Sequence, residues 1–280
     1  MPVTERTSTI AGADTRWWEH GPAEAPLVIA VHGFRGDHHG LEQVVARLPE
    51  YRVIMPDLPG FGDSGTLPEP HTVDAYAQWL REFADAVAPG RSVTLLGHSF
   101  GSIVVAAAVD RGLAADRVIL VNPIAAPALR GPKAVGSLVT LGFYRLAAVL
   151  PDRVGRALLG SPFIVRAMSE AMAKTKDRPL RAWIHDQHAR YFSRFATRES
   201  VLEAFEASIG DDVASHAAAL TMPVLLVAAA QDQIVALADV RALATRLPQA
   251  RLRVLEGVGH LIHYERPAEA AEAIGAFLAR

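Results

Sequence analysis

Gly97-His98-Ser99-Phe100-Gly101 is the segment of this chain best suited to chemistry, because an apolar run at 93–96 leads into it and an Ala/Val-rich run suited to a helix leads out of it. A strand that turns at once into a helix strains the turning residue, and the turn closes only where its neighbours on both sides lack a Cβ. Ser99 at such a turn stands out from the sheet edge. The helix that starts there points its free N–H groups and positive dipole end at whatever the hydroxyl attacks. Nucleophilic acyl transfer is the chemistry this setting serves.

Acyl transfer also needs a base, an acid that orients it and donors for the oxyanion. Asp232 is the preferred acid, since it lies in the turn after the apolar run 223–227. Asp211 and Asp212 compete but precede that run, and the end of the preceding strand, Val121-Asn122-Pro123, carries no carboxylate. The bland role for Asp232 is to cap the helix that follows. His260 is the preferred base, presented by Gly257-Val258-Gly259 after the last apolar run, with His263 three residues on as the competitor. Ser…Asp…His, each just past a strand, is the order of one known triad architecture.

The oxyanion donors expected are the backbone N–H groups of Phe100 and of Phe34, the latter in His32-Gly33-Phe34-Arg35-Gly36 directly after the run 27–31. The rings of both phenylalanines are expected to border the acyl pocket. His32, Gly33, His98, Tyr144, Met168 and Met172 are the substrate-binding candidates. Asp37-His38-His39 has the look of a metal cluster, but adjacent side chains diverge and no full ligand set accompanies them, so a structural role is expected. His185 and His188 are read in the same way. With no nucleotide fingerprint either, the chemistry expected needs no metal and no cofactor.

The elements that must position these residues are short β-branched runs at 27–31, 52–55, 93–96, 118–121, 224–227 and 252–255, which read as buried parallel strands. Segments at 8–10 and 16–19 could add an antiparallel pair at one edge. Helical spacing at 73–87, 102–110, 236–247 and 268–278 fills the gaps, so the class is α/β with a mostly parallel central sheet flanked by helices. The alternation fails between 123 and 222, a stretch that opens with Pro123, Pro127 and Pro132 and continues as helices rich in Leu, Met and aromatics. The expected division is a core of 1–123 and 222–280 with a helical cap at 124–221, set over the strand ends where open α/β sheets bind ligands.

A chain of 280 residues, 50% of them hydrophobic, supports one large domain with an insertion. The net charge of −2 recommends neither nucleic acid nor an anionic membrane surface as partner. Charge is nonetheless segregated: 130–198 holds thirteen Lys/Arg against four acids, net +9, leaving −11 elsewhere. Arg heads kept in water above apolar surface explain this, and attraction of an anionic substrate is the sharper alternative. Cysteine is absent, which excludes disulfides, zinc thiolates and thiol nucleophiles. With no apolar leader in 1–18 and no bilayer-length apolar run, the chain reads as soluble and cytoplasmic, without membrane insertion.

These motifs together resemble the α/β-hydrolase superfamily over nearly the whole chain outside the cap. His32-Gly33 is similar to its oxyanion motif, Asp57-Leu58-Pro59-Gly60-Phe61-Gly62-Asp63-Ser64 to its D-x-x-G-x-G-x-S loop, and Ser99, Asp232 and His260 fall on its triad positions. The resemblance implies the α/β-hydrolase fold and a serine hydrolase that cleaves a carboxylic ester or similar small acyl substrate. Ser99 departs from haloalkane dehalogenases and epoxide hydrolases, which use Asp there, and Phe34-Arg35 departs from the H-G-G-P-G loop of proline iminopeptidases. His98 and Leu261 depart from carbon–carbon bond hydrolases, which usually carry Asn and Trp at these positions. Cleavage of a carbon–carbon bond in a dicarbonyl carboxylate, and a catalytically slow ligand-binding homologue, are the alternatives.

Overall fold

Consecutive residues of a strand face opposite sides of a sheet, so a strand covered on both faces must be apolar at every position. The computed structural model describes residues 3–127 and 134–280 and shows this division. Val28, Ala30, Val53, Met55 and Leu96 enter one core, and Ile29, Val31, Ile54 and Leu95 enter the other. Pro132, with Arg130 and Lys133, lies outside the described residues.

The chain runs β1 (Val3–Ile10), β2 (Ala13–His20), β3 (Leu27–Val31), α1 (Glu42–Val45), β4 (Arg52–Pro56), α2 (Val73–Val87), β5 (Val93–His98), α3 (Phe100–Asp110) and β6 (Ala115–Val121). Helices α4 (Ala134–Val149), α5 (Asp152–Leu159), α6 (Pro162–Met172), α7 (Arg178–Tyr191) and α8 (Arg198–Gly210) follow. The sheet resumes with β7 (Val224–Ala229), α9 (Leu237–Arg246), β8 (Ala250–Leu255), α10 (Ile262–Glu265) and α11 (Pro267–Leu278). Spatial order is β1-β2-β4-β3-β5-β6-β7-β8. The first two strands are antiparallel to each other and β2 is antiparallel to β4, while β4 through β8 are parallel.

Helices α2, α3 and α9 cover one face, and α1 and α11 the other. From β3 the chain steps outward to β4, then crosses back to place β5 on the other flank of β3. The loops leaving β3 and β5 therefore diverge and open a crevice at their C-terminal ends. The His32–Gly36 turn and Ser99 both sit at that crevice.

Several strands and helices are longer than the apolar runs that announce them. β6 starts at Ala115 and β1 at Val3, where the strands run through solvated positions and the apolar pattern is lost. Of the inserted stretch, the 3-10 helix Val213–Ala219 packs back onto α3, with His216 bonded to Asp110 at 2.9 Å. No helix among the described residues is long and apolar enough to cross a membrane.

Candidate active site

Ser99 joins β5 directly to α3 and holds φ 53° and ψ −119°, a conformation that costs an L-residue of order 1–3 kcal/mol. The glycines around it make the turn physically achievable. A Cβ at Gly97 would lie 2.5 Å from the Gly101 carbonyl oxygen, and one at Gly101 would lie 2.6 Å from that of His32 and closer still to that of Val31. Gly101→Ala is therefore expected to destabilise the fold by about 3 kcal/mol, since strand β3 must give way. Urea denaturation checks this, and an unchanged midpoint would mean that the β3–α3 contact relaxes freely.

The Ser99 hydroxyl donates to His260 Nε2 at 2.7 Å, and His260 Nδ1 donates to Asp232 Oδ2 at 2.8 Å. Asp232 Oδ1 accepts from the backbone of Ile234 and Val235, while Oδ2 also accepts from Asn122 Nδ2 at 2.8 Å. Burial pushes this carboxyl up, but the charge of His260 and the bonds from His260, Ile234 and Val235 outweigh it and hold the group down at about 2. Asp232 is thus ionised at neutral pH and fixes the imidazole proton on Nδ1. Neither Asp211 nor Asp212 approaches this group: Asp211 pairs with His216 at 3.0 Å, and Asp212 caps the 3-10 helix through Ser215.

Gly33 brings the β3 loop against the nucleophile, since a Cβ there would be 3.1 Å from Ser99 Cβ and from His98 Nδ1. Phe34 and Phe100 donate no backbone hydrogen bond among the described residues, which leaves both amides available beside Ser99. His32 locks the loop from beneath, accepting from the Leu58 amide at Nε2 and donating Nδ1–H to the Gly33 carbonyl, both at 2.8 Å.

These groups share a cavity of about 150 Å³, the space of one benzene-sized ring. His32, Gly33, Phe34, His98, Met168 and Met172 line it, as does His188. Two expectations change. Tyr144 is not at the cavity wall: its ring stacks on Phe205 with centroids 3.8 Å apart, and its hydroxyl takes a bond from Arg35. The Phe100 ring is also absent from the wall, turned into the core edge-on to Tyr76, because the first residue of a helix that leaves the sheet at this angle points its side chain inward.

His263 lies against His98 with ring centroids 4.1 Å apart, away from Asp232. Burial, then the charge of His260, holds His98 down at about 3, so it stays neutral. Asp37, His38 and His39 bring one potential ligand atom each within 4.8 Å. One ring nitrogen of each histidine is engaged: His38 Nδ1 bonds Asp57 and His39 Nδ1 bonds Asp37. His38 also stacks on Trp18 and His39 on Tyr191.

Three positioning contacts escape sequence reading. Arg35, 1% exposed and at φ 58°, donates to the carbonyls of Phe192 and Leu159, to Ser193 and to Tyr144, and packs 4.6 Å from the centre of the Phe192 ring. It is the sole Lys or Arg at the cavity wall among the described residues. Gln233 accepts from the His260 amide and donates to the Met172 carbonyl, tying the histidine loop to α6. Glu265 accepts from the amides of Lys174 and Thr175 just beyond. The arginines of the inserted helices spend their charge elsewhere: Arg166 and Arg181 on Glu170, Arg190 on Asp186, and Arg194 on Asp63.

Residues 28–273 match the model of the alpha/beta hydrolase family. Lipase 1 of Psychrobacter immobilis is 24% identical, across 97% of this chain and 83% of its own. The pimeloyl-[acyl-carrier protein] methyl ester esterase of Aeromonas hydrophila is 28% identical, across 91% and 96%. Among solved structures, a malate-bound thermophilic esterase from Thermogutta terrifontis superposes with a TM-score of 0.80 at 25% identity, across 99% of this chain and 98% of that one.

Proposed function

Because the chain belongs to the alpha/beta hydrolase family, we propose that it hydrolyses carboxylic esters through an acyl-enzyme on Ser99. The supporting observation is the unbroken run from the Ser99 hydroxyl through His260 to Asp232, with both links under 3 Å. The names of the lipase and esterase relatives point the same way.

In this reading Ser99 Oγ attacks the ester carbonyl as His260 Nε2 takes its proton, and the Phe34 and Phe100 amides receive the oxyanion. Asp232 stabilises the imidazolium without itself becoming protonated. His260 then passes the proton to the departing alkoxide, leaving the acyl group on Ser99. Water repeats the cycle, giving up its proton to His260 and releasing the carboxylic acid.

The inserted segment 124–221 serves as a cap, with Met168 and Met172 over the acyl group. Carbon–carbon cleavage of a carboxylate substrate drew on the basic charge of that segment. Its described arginines stay off the cavity wall, so that alternative keeps no supporting observation. A cavity this small favours short acyl chains. For p-nitrophenyl esters, kcat/KM is expected to be at least about tenfold higher for the butanoate than for the dodecanoate. A profile that rises with chain length would mean that the cap swings clear during turnover.

A further inference from the structure

A buried polar chain crosses from the cavity through α6 and α7 toward the surface, and the acyl-transfer cycle makes no use of it. Ser169, 1% exposed on α6, lies between two histidines of α7, with His188 Nδ1 at 2.7 Å and His185 Nδ1 at 2.6 Å. His185 Nε2 in turn lies 3.2 Å from Glu170 Oε1, an electrostatic approach rather than a linear hydrogen bond. At the other end His188 lines the cavity that holds Ser99, and its Nε2 has no partner among the described residues.

Proton counting fixes the direction of this chain. Bonds from Arg181 and then Arg166 hold the Glu170 carboxyl down at about 2, so it is ionised and only accepts. A lone pair on His185 Nε2 would face that negative charge, so the proton belongs on Nε2 and the lone pair on Nδ1. The Ser169 hydroxyl has one hydrogen for two nitrogens. It donates that hydrogen to His185 Nδ1 and accepts from His188 Nδ1–H. His188 Nε2 is left as a bare lone pair in a largely apolar cavity, and burial, followed by the charge of His185, holds the ring down at about 4 and hence neutral. Ser99 and the oxyanion amides offer the substrate donors; His188 offers it an acceptor.

We propose that His188 Nε2 is a specificity subsite that accepts a hydrogen bond from a hydroxyl or N–H group on the substrate, in addition to the ester being cleaved. Ser169, His185 and Glu170 are positioning residues that hold its tautomer. This rests on the ester-hydrolase reading for its kinetic test, but not for its spectroscopic one.

The kinetic test compares ethyl butanoate with ethyl 3-hydroxybutanoate and 2-hydroxyethyl butanoate by pH-stat. The wild type is expected to prefer at least one hydroxylated ester. In His188→Leu that ratio of kcat/KM is expected to fall about fivefold toward one, the worth of one net hydrogen bond. His188→Gln, which keeps an acceptor, is expected to retain much of the preference. A wild type indifferent to both hydroxyls, or a ratio unchanged in His188→Leu, overturns the proposal.

The spectroscopic test uses nitrogen NMR of the imidazoles in Ser99→Ala, with His188→Gln to assign the signals. His188 is expected to carry its proton on Nδ1, and ethyl 3-hydroxybutanoate or 2-hydroxyethyl butanoate, but not ethyl butanoate, to move its Nε2 signal. Ser169→Ala is expected to let the proton spread to Nε2. A protonated Nε2 in the free protein overturns the assignment. If no ester is turned over while the Nε2 signal still responds to a hydroxylated ester, the ester-hydrolase reading fails and the subsite stands.

Discussion

Ser99→Ala is expected to lower kcat on a short-chain ester by about 10⁶-fold, on the order of 8 kcal/mol of transition-state stabilisation. In the proposed mechanism the nucleophile, the donor to His260 Nε2 and the site of the acyl-enzyme are one atom, so no neighbour replaces it. The residue left behind would be the oxyanion amides and the cavity, which still bind and polarise the ester. Alanine keeps the Cβ at φ 53°, so the strain of the turn and the thermal midpoint should both persist. Turnover of p-nitrophenyl butanoate, with a phosphonate that labels wild type once and the variant not at all, measures the effect. A loss of under about a hundredfold would remove Ser99 from the role of nucleophile.

Asp232→Asn is expected to cost about 10⁴ in kcat, for a reason visible in the hydrogen bonds around the carboxylate. Asp232 accepts from Ile234 and Val235 on one oxygen and from His260 and Asn122 on the other. A carboxamide has one acceptor oxygen. Turned toward the backbone amides, it sets its NH₂ against Asn122 and His260 and drives the imidazole proton to Nε2, where the Ser99 proton has to arrive. Turned the other way, it faces two backbone N–H donors with its own. Steady-state kinetics on the same ester, with a far-ultraviolet spectrum to establish folding, is the measurement. A loss of under about tenfold would mean that Asp232 does not govern the His260 tautomer.

The residues that meet at the crevice were legible because each sits at the end of an apolar run with glycine nearby. Gly97, Ser99 and Gly101 form a local pattern whose spacing is dictated by the contact of Gly97 with the Gly101 backbone and of Gly101 with that of Val31 and His32. Buried parallel strands such as β3 read as unbroken apolar runs rich in Val, Ile and Leu, so their places along the chain were also accessible. Arg35 was not, because in a sequence a buried arginine looks like any surface one, and its acceptors are carbonyls and hydroxyls more than a hundred residues away. Ser169 and His188 lie 19 residues apart on different helices, a separation that matches no local period. Asn122 was noticed for lacking a carboxylate, whereas its contribution is a donor. Tyr144 and Phe100 were misplaced for a shared reason: an aromatic residue near a site reads the same whether its ring faces ligand or core, and only tertiary packing decides.

Arg35 adjoins Phe34, the proposed oxyanion donor, and its guanidinium is anchored at the end of α5, on α4 and in the turn after α7. Any displacement of those helices must therefore tug on the residue beside that proposed donor. On the proposed reading, admission and reaction would be mechanically opposed, because Arg35 joins these helices to the loop that carries Phe34. An ester would then meet competent geometry only with those helices seated, so Arg35 would set the timing of the reaction as well as the wall of the cavity.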